Sequence, residues 1–216
     1  MTLTLVIGNK NYSSWSLRPW LAMRQFGVAF NEVQIALYTP ESRQQIQRYS
    51  PAGKVPVLLT DTFAVWDSLA IFAYLVEQFP TLPWLPKAKA IRALAYSISA
   101  EMHSSFQALR HHMPMNYRAR LPGKGMTAAV QTDIDRITTI WRECRQIGSK
   151  HGSMLFGQFT IADAMFAPVA LRFITYDVCL EAVSSQYVQA LLALSAMQDW
   201  LKAAEVEAET LPNFDC

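Results

Sequence analysis

The chain has 216 residues, 51% of them hydrophobic and 17% charged, with a formal net charge of +2 at neutral pH. That balance supplies one large core or two small ones and excludes a disordered chain. The near-zero charge and the lack of a dense Lys/Arg block argue against a nucleic-acid role. The opening MTLTLVIGNK lacks the basic start and apolar length of a signal peptide, and no apolar run is long enough to span a bilayer. A cytoplasmic protein with no membrane partner is the expectation. Cys144, Cys179 and Cys216 are far apart, with no CxxC and no Cys/His spacing suited to zinc. They read as ordinary thiols.

In chain order, Leu3–Ile7 is a short apolar run and reads as a strand. A turn-rich piece follows, and from Ser16 the residues Leu17, Trp20, Leu21 and Arg24 recur at helical spacing until Gly27. Pro19 falls in the first helical turn, where a missing N–H costs little. Phe30–Leu37 reads as a second strand, Glu41–Arg48 as a helix, and Val55–Leu59 and Phe63–Val65 as a hairpin. Asp67 and Ser68 can cap a helix over Leu69–Phe79. The order βαβαββα predicts a mixed sheet covered by helices over residues 1–80.

Pro80 to Pro86 holds three prolines in seven residues, so residues 81–88 read as a linker. Residues 89–216 then lack strand signals and read as all-helical. Helices are expected over Ala90–His111, Thr127–Ile147, Thr160–Phe173 and Tyr187–Ala203, with a buried stripe of Ile134, Ile137, Trp141 and Cys144. Met102, Phe106, Met113 and Trp200 read as packing residues.

Four constellations bear on chemistry. Ser13, Ser14 and Ser16 sit at a strand-to-helix junction, where converging N–H groups favour an anion; the alternative is a plain helix cap. In Gly53-Lys54-Val55-Pro56 the proline suits either a sheet edge or a cis bond that turns the Val55 backbone outward to pair with a peptide. Asp67-Ser68 at a helix start can meet an ammonium and a carboxylate, or merely cap. Thr160 with Asp163 three residues on is a capping box.

In this order and spacing the four resemble the cytosolic glutathione transferases over nearly the whole chain. The Ser13-Ser14-Trp15-Ser16 stretch is most similar to the zeta class, which has Ser-Ser-Cys-Ser there. The resemblance implies a thioredoxin-like domain followed by a helical domain, glutathione as co-substrate with no metal, and a homodimer. It implies that Ser13, or its neighbour Ser14, hydrogen-bonds the glutathione sulfur. A cis Val55–Pro56 would present the Val55 backbone to the cysteinyl unit, Lys54 would support binding, and Asp67 and Ser68 would hold the γ-glutamyl end. The implied reaction is thiolate attack on a small hydrophobic electrophile; a glutathione-dependent isomerase or peroxidase and a non-catalytic binding module are the alternatives. Trp15, where the zeta pattern has cysteine, changes the pocket and counts against maleylacetoacetate isomerase activity. Trp15, His103 and Arg110 are candidate substrate-pocket residues, Arg110 for an anionic substrate. His103, His111 and His112 are spaced poorly for a metal site, since adjacent His111 and His112 point to different helix faces.

Overall fold

The computed structural model describes residues 2–211, with the backbone alone at residue 149; Cys216 lies outside the described residues. The first half follows the predicted order: β1 (Thr4–Ile7), α1 (Ser14–Gln25), β2 (Asn31–Gln34), α2 (Ser42–Gln47), β3 (Val57–Leu59), β4 (Ala64–Val65) and α3 (Ser68–Gln78). The sheet order is β2-β1-β3-β4, with β1 and β2 parallel and the other pairs antiparallel. Central β1 is buried on both faces, as its unbroken apolar run requires. Leu5 and Ile7 join the large core, whereas Val6 packs with Ile35, Ile46 and Val57.

The second half contains α4 (Lys89–Ser104), α5 (Gln107–His112), α6 (Ala128–Gly148), α7 (Ile161–Thr175), α8 (Ala182–Leu192) and α9 (Ser195–Glu205). Helix α7 is almost wholly buried and packs against both α1 and α4, so the large core runs through both halves. The Thr160/Asp163 capping box opens it. Ile134, Ile137, Trp141 and Cys144 are buried on α6, and Met102, Phe106, Met113 and Trp200 are core residues. Between α3 and α4 the chain is anchored by Trp84, which is buried against Phe26, donates its indole N–H to Phe79 O at 3.0 Å, and accepts at its carbonyl from Ile161 N at 2.9 Å.

Two predicted helices are each broken in two. The stretch Ala90–His111 divides because Ser105 is extended and Phe106 adopts a left-handed φ of 64°, which sends its ring into the core. The carbonyls freed at the end of α4 are taken by Arg110, whose guanidinium donates to Met102 O and, at 2.9 Å, to Ser105 O. The Tyr187–Ala203 helix divides at extended Leu194, where Gln198 donates to Leu192 O at 2.7 Å. Its first part starts earlier than expected because the Glu181 carboxylate caps α8, accepting from Val183 N and Ser184 N. Strands β2 and β3 are shorter than the apolar runs that predicted them.

Candidate active site

The chain end of β1 and the start of α1 bring three serines together. Ser13 is the N-cap of α1 and Ser14 its first helical residue. The Ser13 hydroxyl donates to Ser16 Oγ at 2.7 Å, and Ser13 Oγ accepts a longer bond from Ser16 N at 3.4 Å. Ser16 Oγ also accepts from Gly8 N at 3.0 Å, tying the helix start to the strand end. Ser13 and Ser14 line a cleft of about 800 Å³, where the positive end of α1 opens.

Lys54 and Val55 line the same cleft, and the Val55–Pro56 bond is cis, one of the two forms that the sequence leaves open. A second cleft of about 420 Å³ shares Trp15, Lys54 and Val55 with the first and adds Pro56, Asp67, Ser68 and His103. Asp67 caps α3, its Oδ1 accepting from Leu69 N at 3.1 Å, and its Oδ2 lies 2.8 Å from His103 Nε2. The Ser68 hydroxyl is buried and has no hydrogen-bond partner among the described residues. A buried polar group without a partner costs about 1–3 kcal/mol, so a ligand oxygen here removes a standing penalty.

The helical half adds positive charge. Arg110 and Arg172 line the larger cleft with His111 and Met115, and no Asp or Glu is among its described lining residues. The guanidinium carbons of Arg18 and Arg110 lie 4.2 Å and 4.7 Å from the Trp15 ring centroid, and the His103 ring meets that indole edge-on at 5.2 Å. Arg18 is fully buried, donating to Met165 O at 3.1 Å and Ser14 O at 3.2 Å, while its second terminal nitrogen has no partner among the described residues. Burial and then the charges of Arg110 and Arg172 push the Arg18 guanidinium well below its ordinary range. Arg172 donates to Met113 O and Pro168 O, and burial followed by Arg110 pushes it down to about 9. Burial also lowers Arg110, against the pull of Asp133.

The residues expected to hold glutathione or substrate border these two clefts: Ser13, Ser14 and Arg110 the first, Pro56, Asp67, Ser68 and His103 the second, Trp15, Lys54 and Val55 both, whereas Ser16 lines neither. Sequence reasoning missed Arg18, Arg172 and the Asp67–His103 pair. Arg172 had a signal, a lone charge in the apolar run Phe166–Ile174. Among the described residues no three His, Cys, Asp or Glu side chains gather as a metal site, and no helix is long and apolar enough to cross a membrane.

Residues 12–78, which carry the serines, Val55, Pro56, Asp67 and Ser68, match the glutathione S-transferase N-terminal domain family. That stretch is similar to the glutathione-binding half of the glutathione S-transferases. A "Probable maleylacetoacetate isomerase" of Caenorhabditis elegans is 29% identical over 157 residues, 72% of this chain and 72% of that protein. A zeta-class glutathione S-transferase of Euphorbia esula is 31% identical over 110 residues, covering 49% of this chain and 47% of the plant protein. Among solved structures, a maleyl pyruvate isomerase described as a bacterial zeta-class glutathione S-transferase superposes with a TM-score of 0.72 at 21% identity, over 95% of this chain and 100% of that one. A glutathione transferase homolog from Burkholderia GL BGR1, solved with bound glutathione, gives a TM-score of 0.72 at 22% identity over 96% and 100%. Those two likenesses show a common glutathione-transferase fold.

Proposed function

We propose that this protein is a glutathione transferase in which Ser13 holds the glutathione sulfur as a thiolate for attack on a small electrophile bearing a carboxylate. In this reading the Val55 backbone pairs with the cysteinyl unit beside Lys54, and Ser68 takes the γ-glutamyl carboxylate while Asp67 meets its ammonium. The observation that carries it is the buried Ser68 hydroxyl, without a partner among the described residues, on a cleft continuous, through shared Lys54 and Val55, with the one that holds Ser13.

The energetics are sufficient. A free thiol has a pKa of about 8.5, so only about 3% is ionised at neutral pH. Lowering it by about two units takes roughly 2.7 kcal/mol of preference for the anion. A hydrogen bond from a hydroxyl to a charged sulfur supplies about 1.5–3 kcal/mol. The N-terminus of α1 adds about 0.3–1 kcal/mol. No general base is needed, and the thiol proton passes to water.

The helical half adds charge to a substrate wall expected to take a hydrophobic electrophile. Arg110 and Arg172 face the larger cleft, with no carboxylate among its described lining residues, which supports an anionic electrophile. Thiolate addition to a carbon conjugated with a carbonyl forms the C–S bond and moves an electron pair onto oxygen, where these cations stabilise it. The same wall supports a second reading, a glutathione-dependent isomerase in which glutathione departs after the carbon skeleton has rotated. A homodimer is also proposed, supported by Phe63 and Trp66 standing 53% and 42% exposed beside edge strand β4.

The test is binding to immobilised glutathione, eluted by free glutathione, followed by mass analysis of products from unsaturated carboxylates. Retention with a mass gain of one glutathione supports the transferase. Retention with a rearranged substrate of unchanged mass supports the isomerase, and failure to bind overturns both.

A further inference from the structure

Ser16 has no part in the reading above, yet its hydroxyl is fully buried and touches Ser13 directly. Two partners surround Ser16 Oγ: the Gly8 N–H, a fixed donor at 3.0 Å, and the Ser13 hydroxyl at 2.7 Å. Each serine has one proton, so within the pair one hydroxyl donates and the other accepts. With the Ser13 proton on Ser16, none is left for a sulfur in the cleft. With the pair reversed, Ser16 donates to Ser13 Oγ and the Ser13 proton is free to point at the sulfur. Gly8 keeps Ser16 Oγ supplied with a donor in both arrangements, so the reversal orphans no buried backbone group.

We propose that Ser16 is a positioning residue: its hydroxyl donates to Ser13 Oγ and thereby commits the Ser13 proton to the glutathione thiolate. The resulting chain runs from Gly8 N–H through Ser16 and Ser13 to sulfur, each bond polarising the next. No covalent bond changes in this step. The inference rests on the serine reading of the proposed function.

The test is a double-mutant cycle on the pKa of bound glutathione, read by ultraviolet difference titration of wild type, Ser13→Ala, Ser16→Ala and the double variant. Ser16→Ala is expected to raise that pKa by about half a unit, roughly threefold less thiolate near neutrality, and to add nothing in the Ser13→Ala background. A purely structural Ser16, pinning α1 to β1, would shift the pKa equally in both backgrounds and overturn the inference. So would a Ser16→Ala pKa equal to wild type in a protein whose Ser13→Ala variant does shift. If Ser13→Ala itself leaves the pKa unmoved, the serine reading falls and this inference with it. Ser16→Cys, nearly isosteric and a weak hydrogen-bonder, gives the same cycle should the alanine variant not fold.

Discussion

His103 Nε2 lies 2.8 Å from Asp67 Oδ2, joining α4 of the helical half to the turn that opens α3. The same Asp67 carboxylate caps α3 through Leu69 N, so one side chain serves both halves of the molecule.

The two partners therefore differ in what their removal costs. The Asp67 and His103 side chains are 55% and 27% exposed, so the pair alone contributes about 0.2–1 kcal/mol. Losing the cap adds about 0.5–2 kcal/mol. Urea unfolding is expected to show Asp67→Ala less stable than His103→Ala. The reverse order would mean that the pair, not the cap, dominates.

Arg110 lines the larger cleft and stacks within 4.7 Å of the Trp15 centroid. A hydrogen bond to a charged group contributes about 1.5–3 kcal/mol, or tenfold and more in affinity. Arg110→Gln is expected to raise KM for a carboxylate-bearing electrophile at least about tenfold while changing KM for a neutral one by less than about threefold. Steady-state kinetics with a matched pair of electrophiles checks this. An equal loss for both would assign Arg110 to holding the end of α4.

Glu207 reaches from beyond α9 to the loop that leads into Ser13. Its carboxylate accepts from Lys10 N, from Asn11 N at 2.9 Å and from Gln34 Nε2 at 2.6 Å. Glu207→Ala leaves two loop N–H groups without that acceptor and is expected to cost about 1–3 kcal/mol in denaturant unfolding. Stability within error of wild type would show that water replaces the carboxylate freely.

Asp163 is fully buried, and burial pushes its carboxyl up to about 6 despite bonds from Leu155 N, Thr160 and Tyr187 that favour the anion. A carboxyl raised above its unfolded value contributes stability that is complete below the unfolded pKa and is lost as pH rises through the folded one. The stability of wild type relative to Asp163→Asn is expected to fall by up to about 3 kcal/mol between about pH 4 and pH 7. A flat difference across that window would place the folded pKa near the ordinary carboxylate value.

Local signals in the sequence carried much of this. Period-two and helical spacing yield the βαβαββα order, and the Ser13, Asp67 and Thr160 caps are visible as residue types at helix starts. The break at Phe106 was not legible, because a phenylalanine at φ 64° carries no glycine or proline to announce it; burial of its ring decides it. The contacts of Asp67 with His103 and of Glu207 with Asn11 span 36 and 196 residues, and no periodicity encodes such distances. Arg18 and Arg172 drew no reading from the sequence, because it is the packing of α1 against α7 that makes them a buried cationic pair.

The central claim, that this protein binds glutathione and ionises its thiol, is tested most directly by ultraviolet difference titration of glutathione against the wild-type chain across pH. A thiolate band with an apparent pKa about two units below the free value of about 8.5 is the predicted result. Saturable binding with the thiol still titrating near its free value, or no binding at all, would contradict it.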